Sequence, residues 1–262
     1  MRKILVLVPF PMTTEELANR QAQSKAVDLS PDVEVDYRPV RAAPRTYTSQ
    51  QDYVLADMSL LEAGRSAQED GYDAVCIDTV SDSGVSALRS VLGIPVIGPG
   101  RTMYTTALML GDRFSMLSMW EDWFGLYKKV LTEMNLMHKV ASMRAIDVTP
   151  DNRNLLGGKE EKIFPLLLDT AKRCIEEDGA DVICLGSTTM HQSAAFLAAN
   201  LPVPVINPGP LSYKTAEAMM SLGLSQSRKT YPKPKVDKRN MIHAMLDAAA
   251  AEQTDKAVEK LD

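Results

Sequence analysis

The stretch Glu69-Asp70-Gly71-Tyr72-Asp73-Ala74-Val75 recurs later in the chain as Glu177-Asp178-Gly179-Ala180-Asp181-Val182-Ile183, at an offset of 108 (177 − 69). A second block, Pro95-Val96-Ile97-Gly98-Pro99-Gly100, recurs as Pro204-Val205-Ile206-Asn207-Pro208-Gly209, at an offset of 109 (204 − 95). The two blocks keep their order and nearly the same offset, so we interpret the chain as a duplicated module. A repeat of this length indicates two halves that face each other rather than a solenoid of small units.

Short apolar runs alternate with runs of helical spacing in both copies. The predicted strands are residues 3–8, 33–37, 74–79 and 95–98, then 113–118, 140–147, 182–186 and 203–206. Helical spacing covers residues 13–28, 51–70 and 84–92, then 122–135, 159–178 and 190–200, with a polar-rich last helix at about 236–260. This alternation predicts an α/β fold of parallel sheets covered by helices.

The repeat also predicts how the chain divides. We expect two pseudosymmetric lobes of strand–helix units, with the active site in the cleft between them. The first lobe would hold residues 1–99 and 208–262, including the C-terminal helix, and the second lobe residues 100–207.

Composition excludes several classes of partner. The 262 residues carry a formal net charge of -5 without a dense cluster of Lys and Arg, so nucleic acid and anionic membranes are not expected as partners. No apolar run reaches the length of a membrane span. The three cysteines, which have no C-x-x-C spacing, favour a reducing cytoplasm and disfavour a disulfide framework or a zinc site. We expect a cytoplasmic homo-oligomer that binds a small molecule and no metal.

The repeat equates two hydroxyl residues that follow equivalent strands. Thr79 ends the predicted strand 74–79, and Ser187 directly follows the strand 182–186, again at an offset of 108 (187 − 79). Ligands of open parallel sheets bind beyond the carboxyl ends of the strands. If the halves pack about a pseudo-twofold axis, Thr79 and Ser187 should face each other across one cleft. The alternative is that each residue only caps the helix that follows it.

Several ordered blocks resemble the aspartate/glutamate/hydantoin racemase superfamily, and most closely its hydantoin and allantoin racemase branch. They are Ser81–Ala87, Ile94–Gly100, Gly111–Ser115, Arg144–Val148, Gly179–Ile183 and Pro202–Ile206. The resemblance implies two pseudosymmetric lobes, with no metal and no organic cofactor. It also implies that one cysteine removes a proton alpha to a carbonyl and that a second cysteine returns it on the opposite face. The alignment puts those cysteines at Thr79 and Ser187, so both thiols are replaced here.

The replacement changes the chemistry that can be expected. A hydroxyl is a much weaker acid than a thiol and needs a partner base, so two unaided hydroxyls cannot run a two-thiol relay. Cys76 and Cys184 are equivalent to each other, but each lies three residues before its strand tip, which favours core positions. Cys174, in a predicted helix, carries no functional signal.

Two further residues are candidate bases, and others are candidate substrate contacts. Asp82 and His191 could each accept a proton, although Asp82 could equally cap a helix and His191 could be an ordinary core or surface histidine. Trp123 and Phe124 could form an aromatic wall of the cleft together with Trp120, although helix packing is favoured for these two residues. The expected substrate contacts are Pro9, Phe10, Pro11, Ser81, Ser118, Trp120, Thr188 and Tyr213.

Three hypotheses of function follow. In the first, the chain is a cofactor-independent enzyme that acts on a small cyclic amide or ureide, such as a hydantoin or a diketopiperazine. The reaction would be ring-opening hydrolysis, with strand-tip groups polarising the carbonyl, or isomerisation without the thiol relay. In the second, it is a cysteine-less racemase, isomerase, decarboxylase or lyase of a small carboxylate. In the third, it is a catalytically silent binding protein that keeps the cleft.

Overall fold

Each half of the chain forms its own four-stranded parallel sheet in the computed structural model, which describes residues 1–44, 46–149 and 160–255. The first sheet has the order β2-β1-β3-β4 and the second the order β6-β5-β7-β8, so the strand order repeats. The strands are β1 (Arg2–Val8), β2 (Val33–Pro39), β3 (Ala74–Ile77), β4 (Val96–Ile97), β5 (Phe114–Ser118), β6 (Val140–Ala145), β7 (Val182–Leu185) and β8 (Val205–Ile206). The predicted α/β fold with two parallel sheets is confirmed.

The register of the strands repeats together with their order. Ala74 of β3 lies beside Ile4 of β1, and its counterpart Val182 of β7 lies beside Phe114 of β5. As a result β3 and β7 end at equivalent points, and position 79 or 187 comes two residues after the last residue of its strand. The predicted strand 74–79 is therefore too long, because the chain leaves the sheet at Ile77 and turns toward the next helix.

Helices cover the sheets, and we call each sheet with the helices packed on it a lobe. The described helices are α1 (Thr14–Gln21), α2 (Gln50–Gly64), α3 (Val85–Val91), α4 (Pro99–Leu110), α5 (Phe124–Glu133), α6 (Glu160–Glu176), α7 (His191–Asn200), α8 (Pro208–Ser221) and α9 (Arg239–Asp255). The helices α4 and α8, which each begin at a Pro-Gly pair, were not among the predicted helices. A proline in the first turn of a helix is well tolerated, since no amide hydrogen is needed there.

These two missed helices join the lobes. The helix α4 follows a strand of the first sheet but packs against β7 and α5 of the second lobe. The helix α8 follows a strand of the second sheet but packs against β3 and β4 of the first lobe, and the two helices pack against each other. The chain therefore passes twice between the lobes, once at each of these helices.

The cores of both lobes are apolar and include the cysteines. Cys76 of β3 and Cys184 of β7 are fully buried, which confirms their predicted core positions. Cys174 of α6 is also fully buried, although the sequence showed no reason to place it there. Within the described ranges, no helix combines the length and the apolar character needed to cross a membrane.

The start of α4 is held by Asp82, which the sequence analysis proposed as a catalytic base. The buried carboxylate accepts hydrogen bonds from the backbone N–H of Gly100 at 2.7 Å and of Arg101 at 2.9 Å. Burial raises the pKa of this carboxyl group from 3.8 to about 6, although both amide donors and the Arg101 charge oppose the shift. Asp82 thus caps the helix that links the lobes.

We expect Gly100→Ala to lower the free energy of unfolding by about 1–3 kcal/mol, the usual cost of overpacking. A Cβ atom at Gly100 would lie 2.4 Å from the carbonyl oxygen of Val80, and that backbone atom cannot move aside cheaply. The matched control is Gly209→Ala at the equivalent start of α8, where the nearest atom is 4.0 Å away. Urea denaturation of both variants measures the difference. Equal stabilities would contradict the close approach at α4.

The raised pKa of Asp82 predicts a loss of stability with rising pH. The folded state binds this proton more tightly than the unfolded chain, because its pKa is about 6 rather than 3.8. The free energy of unfolding should therefore fall by about 2–3 kcal/mol as the pH rises from 4 to above 6. Asp82→Asn cannot titrate and should lack this component. Urea denaturation of both proteins across that range tests it, and parallel pH curves would refute the assignment.

Candidate active site

A small pocket lies between the lobes, at the carboxyl ends of both sheets. Thr79 from the first lobe and Ser187 from the second lobe both line it. The other described lining residues are Pro9, Phe10, Arg20, Tyr47, Asp78, Val80, Trp123, Leu126, Gly186 and Thr188.

The strand ends of the two lobes meet directly at this pocket. The hydroxyl of Thr188, which follows β7, donates to the backbone carbonyl of Asp78, which follows β3, at 3.2 Å. The Thr79 hydroxyl is in turn held from behind, because its oxygen lies 3.2 Å from the Ser81 hydroxyl. Ser81 continues to Ser83 at 2.9 Å. The Thr79 hydroxyl is thus oriented by its own strand tip, and the Thr188 hydroxyl by the strand tip of the other lobe.

A buried ion pair forms the polar side of the pocket, and sequence reasoning missed both of its members. Arg20, in the last turn of α1, places Nε 2.6 Å from Oδ2 of Asp78, and the two side chains are only 2% and 1% exposed. Arg20 Nη1 and Asp78 Oδ1 have no hydrogen-bond partner among the described residues. A buried polar atom without a partner is costly, so both atoms are suited to meet a polar ligand.

One signal in the sequence could have revealed this pair. Asp78 is equivalent to Gly186 under the repeat (186 − 78 = 108), so the two strand tips differ at this position. A charged residue inside a predicted buried strand, with a glycine at the equivalent position of the other copy, marks a difference between the two copies of the module. A buried carboxylate also requires a cationic partner, although the sequence does not show which of the 29 Lys and Arg residues supplies it.

The second lobe supports its strand tip with a tyrosine instead. The Tyr127 hydroxyl donates to the carbonyl oxygen of Gly186 at 2.8 Å and lies 2.8 Å from the Ser118 hydroxyl. Burial raises the pKa of Tyr127, so this hydroxyl remains protonated. A Cβ atom at position 186 would lie 2.3 Å from the tyrosine oxygen, which explains the glycine. Tyr127 therefore sets the position of the backbone next to Ser187.

The remaining wall of the pocket is apolar and partly aromatic. Phe10 packs edge-on against Tyr47 with ring centroids 5.2 Å apart, and the Tyr47 hydroxyl donates to the carbonyl of Pro9 at 2.7 Å. Trp123 and Leu126 come from the opposite lobe. The expectation that Trp123 only packs a helix is therefore corrected: its ring, 6% exposed, also lines the pocket.

Several residues expected at the site are not among the described residues that line the pocket. Asp82 faces the start of α4, as described above. Ser118 bonds to Tyr127, while Trp120 stacks edge-on against Trp123 at 6.5 Å outside the lining. The Tyr213 hydroxyl is 2.8 Å from that of Tyr37, because α8 buries this ring against the first sheet.

Three further residues were expected at the site and are also not among the described lining residues. Ser81 lies behind the Thr79 hydroxyl, and Pro11 is half-buried beyond the lining residues. His191 begins α7, but its side chain lies outside the described part of the structure. Within the described ranges, no group of three or more His, Cys, Asp and Glu side chains could hold a metal ion.

Comparison with known proteins shows which family shares this architecture. A family model described as Asp/Glu/Hydantoin racemase matches residues 6–216. A hydantoin racemase of Pseudomonas sp. (strain NS671) is 30% identical over 227 residues, which cover 82% of this chain and 85% of that protein. A hydantoin racemase of Paenarthrobacter aurescens is 29% identical over 187 residues, which cover 70% of this chain and 77% of that protein.

Solved structures give the same result in three dimensions. The allantoin racemase from Klebsiella pneumoniae superposes with a TM-score of 0.81 at 26% identity, covering 90% of this chain and 95% of that one. The allantoin racemase from Pseudomonas fluorescens superposes with a TM-score of 0.79 at 25% identity, covering 90% and 98%. With a family model that spans most of its length and both lobes reproduced, the chain belongs to the Asp/Glu/hydantoin racemase family.

Proposed function

We propose that the protein is a cofactor-independent isomerase of the racemase kind, which moves a proton on a carbon alpha to the carbonyl of a small cyclic amide or ureide. The observation that carries the proposal is that one carboxylate, Asp78, lines the same pocket as the two strand-tip hydroxyls of Thr79 and Ser187. The matched hydantoin racemases and the similar allantoin racemases are named for cyclic ureides, which supports the choice of substrate.

Asp78 supplies the base that the missing thiols would otherwise provide. Its Oδ2 is held by Arg20, while Oδ1 has no partner among the described residues and can accept a proton from carbon. The cysteines cannot take this role, because Cys76 and Cys184 are buried in strands and burial raises the pKa of both thiols. A positioned carboxylate with a hydrogen-bonded carbonyl opposite is a proven arrangement for proton transfer at carbon.

In the proposed reaction, Asp78 takes the alpha proton and becomes a neutral carboxylic acid. The electron pair of the broken C–H bond moves onto the carbonyl oxygen, giving an enolate. The hydroxyls of Thr79 and Ser187 donate hydrogen bonds to that oxygen. Return of the proton from Asp78 restores the original configuration. Protonation by water from the open side inverts it, and Asp78 then releases its proton to solvent.

Ring-opening hydrolysis is the second candidate, favoured by the hydroxyl groups that replace the thiols at the strand tips. Asp78 would then take a proton from water rather than from carbon, and the hydroxyls would stabilise a tetrahedral oxyanion. The two reactions differ in product. Proton transfer leaves the ring intact and introduces solvent deuterium at the alpha carbon, whereas hydrolysis opens the ring.

We expect Asp78→Asn to reduce alpha-proton exchange by at least about a hundredfold, since general bases contribute about 10²–10⁴ to rates. Exchange is measured by NMR of 5-benzylhydantoin in D2O, which also detects ring opening. Asp178→Asn is the matched control, because that carboxylate pairs with Arg144 away from the pocket and its replacement should leave exchange nearly unchanged. Full activity of Asp78→Asn would refute its role as base, and ring opening without deuterium incorporation would favour the hydrolase.

The strand-tip hydroxyls should contribute to kcat rather than to substrate affinity. Thr79→Val and Ser187→Ala each remove one donor to the developing enolate, and loss of such a donor costs about 10²–10³ in kcat. Initial rates of exchange over a range of hydantoin concentrations separate kcat from KM. An increase in KM at unchanged kcat would show that the hydroxyls bind the ground state only and would contradict the proposed stabilisation.

A further inference from the structure

Arg20 and Asp78 are the only charged side chains among the described residues that line the pocket. Their charges are opposite and their contact is 2.6 Å, so the polar side of the pocket is electrically balanced. Both side chains are almost fully buried, and bulk water cannot screen an added charge there. The charge of an incoming ligand is therefore decisive for its binding.

We propose that the Arg20–Asp78 pair selects substrates by charge, so that the pocket admits neutral amides and excludes carboxylates. This inference rests on the proposed function, since it concerns the same pocket, but it concerns binding and not turnover. A bound carboxylate would leave a net negative charge beside an almost fully buried ion pair, and burying an uncompensated charge is strongly unfavourable. A neutral amide adds none.

The atoms of the pair fit a neutral ligand in a second way. Arg20 Nη1 can donate a hydrogen bond and Asp78 Oδ1 can accept one, and neither has a partner among the described residues. An amide or ureide group carries both a carbonyl acceptor and an N–H donor, whereas a carboxylate carries acceptors only. A carboxylate placed beside Oδ1 would meet like charge where an amide offers a hydrogen. The apolar wall of Phe10, Trp123 and Leu126 receives the rest of the molecule.

Removal of one charge from the Arg20–Asp78 pair should invert the preference of the pocket for amides over carboxylates. Asp78→Asn keeps the size of the side chain but removes its charge, which leaves Arg20 as an uncompensated buried cation. That variant should lose its preference for amides and bind carboxylates. Loss of activity alone would not show this, because Asp78→Asn also removes the proposed base.

The test uses phenylacetamide and phenylacetate, which have nearly the same shape and differ in charge. Calorimetry at pH 7 should show the wild-type protein binding the amide at least about tenfold more tightly than the carboxylate, a difference of about 1.4 kcal/mol. Asp78→Asn should reverse this order by a similar factor. Equal binding of both ligands by the wild-type protein would overturn the proposal, as would binding of neither.

Thermal unfolding keeps the test decisive if Asp78→Asn is poorly stable. A ligand that binds only the folded state raises the melting temperature, so phenylacetate should stabilise Asp78→Asn more than phenylacetamide does. The matched control is Asp178→Asn, which removes the carboxylate that Arg144 Nε contacts at 2.6 Å, away from the pocket. Phenylacetate should not stabilise that control. If phenylacetate fails to stabilise Asp78→Asn, or stabilises both variants equally, the proposal is wrong.

This inference and the proposed function can fail separately. If Asp78→Asn inverts the preference for amides but the wild-type protein does not exchange deuterium into 5-benzylhydantoin, the selection by charge is supported and the isomerase activity is refuted. If the wild-type protein exchanges the alpha proton for deuterium but binds phenylacetate and phenylacetamide equally tightly, the isomerase activity stands and the selection by charge is refuted.

Discussion

A carboxylate can remain at the buried end of β3 because Arg20 reaches it from α1. Taking an ionised group out of water costs several kcal/mol, and only a partner of opposite charge in close contact offsets that cost. The contact between Arg20 and Asp78 is 2.6 Å, with both side chains almost inaccessible to solvent. The polar chemistry of the pocket depends on this pair, since no other charged side chain lines it among the described residues.

The two lobes stabilise the ends of their equivalent strands, β3 and β7, in different ways. In the first lobe a charged pair occupies the end of β3, while in the second lobe Gly186 occupies the equivalent place and Tyr127 binds its carbonyl. A symmetric pair of carboxylates would place two like charges in one pocket, which is unfavourable. The duplicated frame therefore carries hydroxyls at both strand tips, and the pocket carboxylate Asp78 in the first lobe. This asymmetry fits a reaction in which one group removes a proton and the hydroxyls stabilise the resulting charge.

The shape of the pocket depends on the contacts that join the two lobes. The crossing helices α4 and α8 pack on each other and on the lobe opposite to their own strand. Asp82 anchors the start of α4, and Thr188 bonds to the backbone of Asp78 across the cleft. Each of these contacts acts on backbone near a strand tip, so a change in the join between lobes changes the geometry of Thr79 and Ser187 as well.

The sequence alone determined the duplication, the fold class and the position of the two hydroxyls after equivalent strands, because repeat offsets and apolar runs are local patterns. It indicated Asp82 as a candidate base and missed Asp78, which lies four residues earlier in the same loop after β3. Only the tertiary structure decided that Asp78 faces Arg20 and the pocket while Asp82 faces the start of α4. The helices α1 and α4 reach these carboxylates from 58 residues before Asp78 and from 18 residues after Asp82. Packing between residues far apart in the sequence therefore decides whether a carboxylate contacts a guanidinium group or backbone amide hydrogens. Short-range patterns in a single sequence do not encode that packing.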